Sequence, residues 1–364
     1  MSEHRDVWHI RAVVLPDTSE PADFWVCDGV VGREPVDGAQ DVPGAFVLPG
    51  GLVDAHVHLT MNFGKVMPHA DGSEALMSAN AAAHRRSGVL AFRDAGCAWG
   101  GVPTQLADGP RLQRAGRLLA PPGRGYPNVC HFVDAESLVI AALEDVRAGA
   151  AWVKIIGDFP GPDGNWFAAP PTYSRDVLKT LVSAVHADGA RVMAHSTGLG
   201  APDLVAAGVD SIEHGMVLTP DLVREMADRQ VAWVLTLATA HKHLGTLVDQ
   251  QSPVGAYVRG QLDRIRHLLP EAHARGVPIL AGSDEVRVGT FVDELHWITR
   301  FGLSADQALR AASTNARAWL GFTPAGAGGC ADFVTYLHDP REDVSALREP
   351  AAVVVRGRLL AAAV

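Results

Sequence analysis

Cysteine is scarce: the 364 residues include four, Cys27, Cys97, Cys130 and Cys330, with no C-x-x-C spacing among them. That pattern excludes a disulfide framework and reads as reduced thiols, as expected in the cytoplasm. Long hydrophobic runs are also missing. The apolar stretches are strand-sized, well short of the roughly 20 residues a membrane helix needs. Residues 1–5 are polar with no apolar segment behind them, so no signal peptide is expected. There is no basic patch either. The net charge of −10 is spread along the chain rather than gathered in a tail, which argues against a nucleic-acid partner. What remains is a chain 48% hydrophobic, able to bury a sizeable core. A soluble cytoplasmic protein acting on a small molecule is expected, and a homo-oligomer is compatible with it.

The two ends resemble each other and differ from the middle. Residues 1–47 and 325–364 hold short β-rich runs such as His9-Ile10-Arg11-Ala12-Val13-Val14, Phe333-Val334-Thr335-Tyr336 and Ala352-Val353-Val354-Val355. They are expected to meet as one small β-sandwich domain. Residues 48–324 alternate apolar runs with amphipathic stretches. A glycine, an apolar run and then a titratable residue recur, as in Gly189-Ala190-Arg191-Val192-Met193-Ala194-His195 and Gly276-Val277-Pro278-Ile279-Leu280-Ala281-Gly282-Ser283-Asp284. The glycine suits the left-handed position that ends a helix, and the run suits a strand buried on both faces. Between them, Val177, Leu178, Leu181, Val182 and Val185 share one helical face, Thr219-Pro220 reads as an N-cap, and Ser304 to Gln307 reads as a capping box. With Phe46 to Ala55, Arg111 to Leu119 and Val231 to Leu237, eight strands in β/α order predict an α/β fold: a (β/α)₈ TIM-like barrel.

In such a barrel the reacting groups stand at the C-terminal ends of the strands. Five strand ends here carry ligand-type residues: His56 with His58, Lys154, His195, His214 and Asp284. His56-Val57-His58 puts two imidazoles on one side of a strand, within reach of one ion. Lys154 lies in Ala151-Trp152-Val153-Lys154-Ile155-Ile156, where an ammonium needs an anion, a shifted pKa or modification. It reads as a barrel salt bridge, as a Schiff-base lysine, or as a carbamate formed with carbon dioxide. Asp284 ends an apolar run with nothing nearby in sequence to neutralise it, so it is paired, bound to a metal or catalytic. Two divalent cations would offset a carbamate, a carboxylate and a bridging hydroxide to within about one charge.

The order H-x-H, lysine, histidine, histidine, aspartate resembles the amidohydrolase superfamily over nearly the whole chain. Phe46 to His58, Gly109-Pro110-Arg111-Leu112, Ser211-Ile212-Glu213-His214-Gly215 and Cys330-Ala331-Asp332-Phe333-Val334 resemble its imidazolonepropionase-like and Xaa-Pro dipeptidase-like branch. Thr197 stands where that branch often has tyrosine, and Gly282-Ser283-Asp284-Glu285 replaces its usual Gly-Thr-Asp with a small residue next. The resemblance implies that His56, His58 and Asp284 hold the more buried of two divalent metal ions, with zinc expected. His195 and His214 would hold the second, bridged by carboxylated Lys154. Bound water would then be acidified to a pKa of about 7. Asp284 would serve as general base and then general acid in cleaving the C–N bond of an amide, cyclic amide, N-acyl amino acid or dipeptide. Lactone or ester hydrolysis by the same site, a Schiff-base aldolase and a metal-free scaffold are the alternatives. Substrate contacts are expected from the loops: Trp166 after the fourth strand, His241 in a solvated loop after the seventh, and Arg93, which could bind a carboxylate or pair with Asp94.

Overall fold

The computed structural model describes residues 7–63, 68–70, 73–97, 106, 111–160, 168–246, 249, 251–284, 290–323, 326 and 328–362. Its centre is a parallel sheet of eight strands in sequence order: β1 (Leu52–Val57), β2 (Val89–Asp94), β3 (Arg111–Ala120), β4 (Trp152–Ile156), β5 (Arg191–Ser196), β6 (Ser211–His214), β7 (Ala232–Leu235) and β8 (Ile279–Ala281). Every residue of β1, β2 and β4 is buried, Asp54, His56, Arg93, Asp94 and Lys154 included, as a parallel sheet with helices packed outside requires. The sheet is nearly closed. Past the end of β8 the Asp284 amide donates to the His56 carbonyl at 2.7 Å. Gly282 lies so close that a Cβ on it would stand 2.5 Å from the His56 Cβ.

The helices form where their caps and apolar faces direct. Ser174 caps Arg175–Ala187 by accepting from the Val177 amide, and Leu178, Leu181, Val182 and Val185 are buried. Thr219 caps Pro220–Arg229, and Ser304 with Gln307 forms the capping box that opens Ala305–Ala311. The lumen of the barrel is filled by Val53, Ala91, Trp152, Met193, Val234 and Leu280, against which Ala316 and Leu320 pack. At this floor Trp152 stacks on Trp319 with ring centroids 5.5 Å apart, and the Arg191 guanidinium lies 4.2 Å and 4.6 Å from their centroids. The opposite end is left for chemistry.

The stretch Phe46 to Ala55 does not form one strand. Gly50 and Gly51, at φ 75° and 61°, break it, because a left-handed turn there suits glycine alone. Phe46–Pro49 joins the terminal sheet, and β1 joins the barrel. Both chain ends do meet. In one mixed eight-stranded sheet the order runs Arg358–Ala362, Ala352–Val355, Phe333–Tyr336, Phe46–Pro49, Trp8–Val14, Pro21–Cys27, Val30–Gly32, with Gln40–Asp41 beside Trp8–Val14. Ile10, Phe24, Val26, Val47, Phe333 and Val354 form its apolar cluster.

Candidate metal centre

Five of the six residues read as ligands, His56, His58, His195, His214 and Asp284, gather at the C-terminal end of the barrel, whereas Lys154 is the middle residue of β4 rather than its end. Asp284 Oδ1 lies 3.2 Å from His56 Nε2 and 3.5 Å from His58 Nε2. One ligand atom from each of the three lies within 4.8 Å of the other two. The His214 ring stands 5.1 Å from that of His56, and the His195 ring 4.6 Å from that of His214. Lys154, 2% exposed, sits on the adjacent strand with its Cα opposite Met193. His214 and Asp284 adopt φ of 68° and 54°, a left-handed backbone that a residue with a Cβ rarely takes. Strain of this kind concentrates where a side chain must be aimed.

Three of the four rings are oriented by a partner. His56 Nδ1 lies 2.6 Å from Glu213 Oε2, His58 Nδ1 donates to the Gly96 carbonyl at 2.8 Å, and His214 Nδ1 lies 2.7 Å from Thr236 Oγ1. Buried aspartates brace the surrounding loops. Asp54 accepts from the His56 and Ser283 amides and from the Ser283 hydroxyl. Asp94 accepts from the amides of Leu59 and Gly96. Asp158 accepts from those of Thr197, Gly198 and Gly200. Such acceptance satisfies both the carboxylates and the turn amides away from water.

Burial sets the protonation states. It holds His195 down to about 3, with the charge of Lys154 adding to it, and takes His214 well below its ordinary value. It brings Lys154 down to about 8, against the pull of Glu213 and Asp284. For Asp284 burial acts upward, but His56, His58 and His214 outweigh it and keep the carboxyl well below its usual range. Neutral imidazoles and an ionised carboxylate are the forms that ligate a cation. His56 Nε2 is buried and its contact with Asp284 Oδ1 at 3.2 Å falls outside hydrogen-bond geometry, which is costly unless a ligand meets it. Two histidines and a carboxylate with orienting partners behind them fit a divalent metal ion.

The residues read as substrate contacts fare differently. Arg93 is fully buried, with Nη2 2.9 Å from both oxygens of Glu213, Nη1 2.9 Å from Ser211 Oγ and Nε 2.6 Å from the Ala55 carbonyl. Its carboxylate is therefore Glu213, not Asp94. His241 is not in a solvated loop: it belongs to a helix, Leu237–Thr246, and its ring lies flat on Trp297 with centroids 3.5 Å apart. Burial, with Arg266 and Arg300 nearby, holds His241 down to about 4. Trp166, Glu285 and the Gly109-Pro110 pair lie outside the described residues. Sequence reasoning passed over Glu213. The signal was there, because an acid two residues after Ser211 in a short buried strand needs a partner on the same face.

Comparison with known proteins places the chain in a family and a fold. The amidohydrolase family profile matches residues 46–360. An uncharacterized protein of Mycobacterium tuberculosis (strain ATCC 25618 / H37Rv) is 36% identical, the match covering 96% of this chain and 95% of that protein. Two solved structures superpose closely. A Xaa-Pro dipeptidase with bound methionine has a TM-score of 0.78 at 21% identity, over 97% of this chain and 99% of the other. A prolidase complexed with N-methylphosphonate-L-proline has a TM-score of 0.80 at 24% identity, with the same coverage. Among the described residues no helix is long and apolar enough to cross a membrane.

Proposed function

This chain belongs to the amidohydrolase family, and from that premise we propose that it hydrolyses the C–N bond of a dipeptide, N-acyl amino acid or related amide. The observation that carries the reading is the convergence of His56, His58 and Asp284 donor atoms within 4.8 Å at a barrel end. His56, His58 and Asp284 would hold one divalent ion, with zinc expected from the nitrogen-rich donor set. His195 and His214 would hold a second, and Lys154 as a carbamate would bridge the two. A carbamate forms from the neutral amine, and a buried lysine brought down to about 8 offers that form near neutral pH. When bound, such ions supply Lewis acidity and an acidified water.

The protein side chains do the rest. Asp284 is 21% exposed beside a His56 that is 1% exposed, so its carboxylate is the ligand oxygen open to substrate. It takes the proton of the attacking water and delivers it to the leaving nitrogen, acting as base and then acid. The left-handed backbone at 284 and the hydrogen bond from its amide to the His56 carbonyl fix the direction of that transfer. Dipeptides come first among substrates because a Xaa-Pro dipeptidase and a prolidase are among the solved structures this chain resembles. Elemental analysis of the purified protein should find close to two divalent ions per chain, and a screen of dipeptides, N-acyl amino acids and lactams should find turnover that a chelator abolishes. A protein that holds no divalent ion after loading would overturn the reading, and so would hydrolysis confined to esters and lactones.

A further inference from the structure

Glu213 and Arg93 form a closed circuit behind His56. Glu213 Oε1 accepts from Ser211 Oγ at 2.5 Å and from Arg93 Nη2 at 2.9 Å. Its Oε2 accepts from Arg93 Nη2 at 2.9 Å and faces His56 Nδ1 at 2.6 Å. Arg93 also donates from Nε to the carbonyl of Ala55, the residue just before His56. Arg93, Ser211 and Glu213 are all 0% exposed. A guanidinium has only donors to offer, and the Ser211 hydroxyl gives its proton to Oε1, so the carboxylate acts purely as acceptor. The fourth contact must follow the same rule, with the proton of the imidazole on Nδ1. The lone pair is then on Nε2, the atom that makes no other hydrogen bond and lies 3.2 Å from Asp284 Oδ1.

We infer that Glu213, clamped by Arg93 and Ser211, is a positioning residue that fixes the tautomer and ring plane of His56 so that Nε2 is presented to a divalent cation. The inference rests on the metal-centre reading above, and it gives work to two buried charges that the proposed reaction leaves without a part. Arg93 keeps Glu213 paired within the barrel, 120 positions away in sequence, and so keeps the carboxylate turned toward His56 Nδ1. Carboxylate–histidine pairs of this kind change metal affinity by about 10–100-fold when broken.

Glu213→Gln tests this without changing the shape of the side chain. Its amide oxygen can meet Ser211 and Arg93 only by turning the –NH₂ toward His56 Nδ1, which then becomes the acceptor. In full-length protein freed of metal and labelled with ¹⁵N-histidine, the His56 signal, assigned by its loss in His56→Asn, should report a proton on Nδ1 in the parent and on Nε2 in Glu213→Gln. Zinc affinity measured against a competing chelator should fall about 10–100-fold in the variant. A parent that carries the His56 proton on Nε2 overturns the proposal, and that measurement needs no variant to fold. A Glu213→Gln protein that melts lower but binds zinc like its parent also overturns it, assigning Glu213 to stability alone. A parent that binds no divalent ion would instead sink the metal-centre reading.

Discussion

At the scale of single residues, the candidate ligands were legible because ligation demands a few residue types at strand ends, and His56, His58 and Asp284 do converge there. Their partners were not legible. The Arg93–Glu213 pair joins strands 120 positions apart, and local sequence offered Asp94 instead. Lys154 gives the sharpest test. Its ammonium is buried among opposing carboxylates, so an ion pair, a Schiff-base amine and a carbamate all fit its surroundings. Truncation separates them. In Lys154→Ala activity should fall by orders of magnitude and one metal ion should be lost. Acetate or formate with excess metal should restore part of the activity, because a small carboxylate can occupy the gap. An amine nucleophile would not be replaced by acetate. Lys154→Arg keeps the charge but not the chemistry, and full activity in that variant would exclude the carbamate.

At the scale of elements, strands were read from apolar runs ending in a titratable residue, and β2, β4, β5 and β6 lie where those runs fall. One departure has a local cause and the other a distant one. Gly50 and Gly51 divide one apolar run between two sheets, which nothing in its hydrophobicity announces. The helix Leu237–Thr246 was read as loop because its N-terminal partner is distant: the Ala238 amide donates to Glu294 Oε2 at 2.7 Å, 56 residues onward. Glu294 is 0% exposed and its Oε1 has no hydrogen-bond partner. Burial raises its carboxyl from 4.5 to about 8, so between those values the folded chain holds a proton that the unfolded chain has released. Stability from this group is thus present below pH 4.5 and is lost as pH rises through about 8. Glu294→Gln keeps an acceptor for the helix amides without the ionisation. Its melting temperature should fall less than the parent's between pH 5 and pH 8, as calorimetry can check; identical slopes would show that the carboxyl is ionised in the fold throughout.

At the scale of the whole molecule, the likeness between the two ends was visible as shared β-rich composition, whereas the strand order that joins them was not. Phe46–Pro49 lies between Trp8–Val14 and Phe333–Tyr336, and Trp8 Nε1 donates to the Gly357 carbonyl at 2.7 Å. Val334 is 0% exposed and pairs with Leu48, one strand away from the segment that leads into β1 and His56. Val334→Asp would bury an unpaired carboxylate there and should destabilise the protein by about 3 kcal/mol, measured by urea unfolding. An unchanged midpoint would show that the terminal sheet does not support the barrel. The same sheet also imposes a schedule on biosynthesis. Phe46–Pro49 leaves the ribosome nearly three hundred residues before Phe333–Tyr336, its antiparallel neighbour. At translation rates of about 5–20 residues per second that is an interval on the order of a quarter-minute to a minute. Throughout it the β-rich N-terminal arm carries an open edge able to pair with a neighbouring nascent chain, so crowded polysomes are where this protein would first go astray.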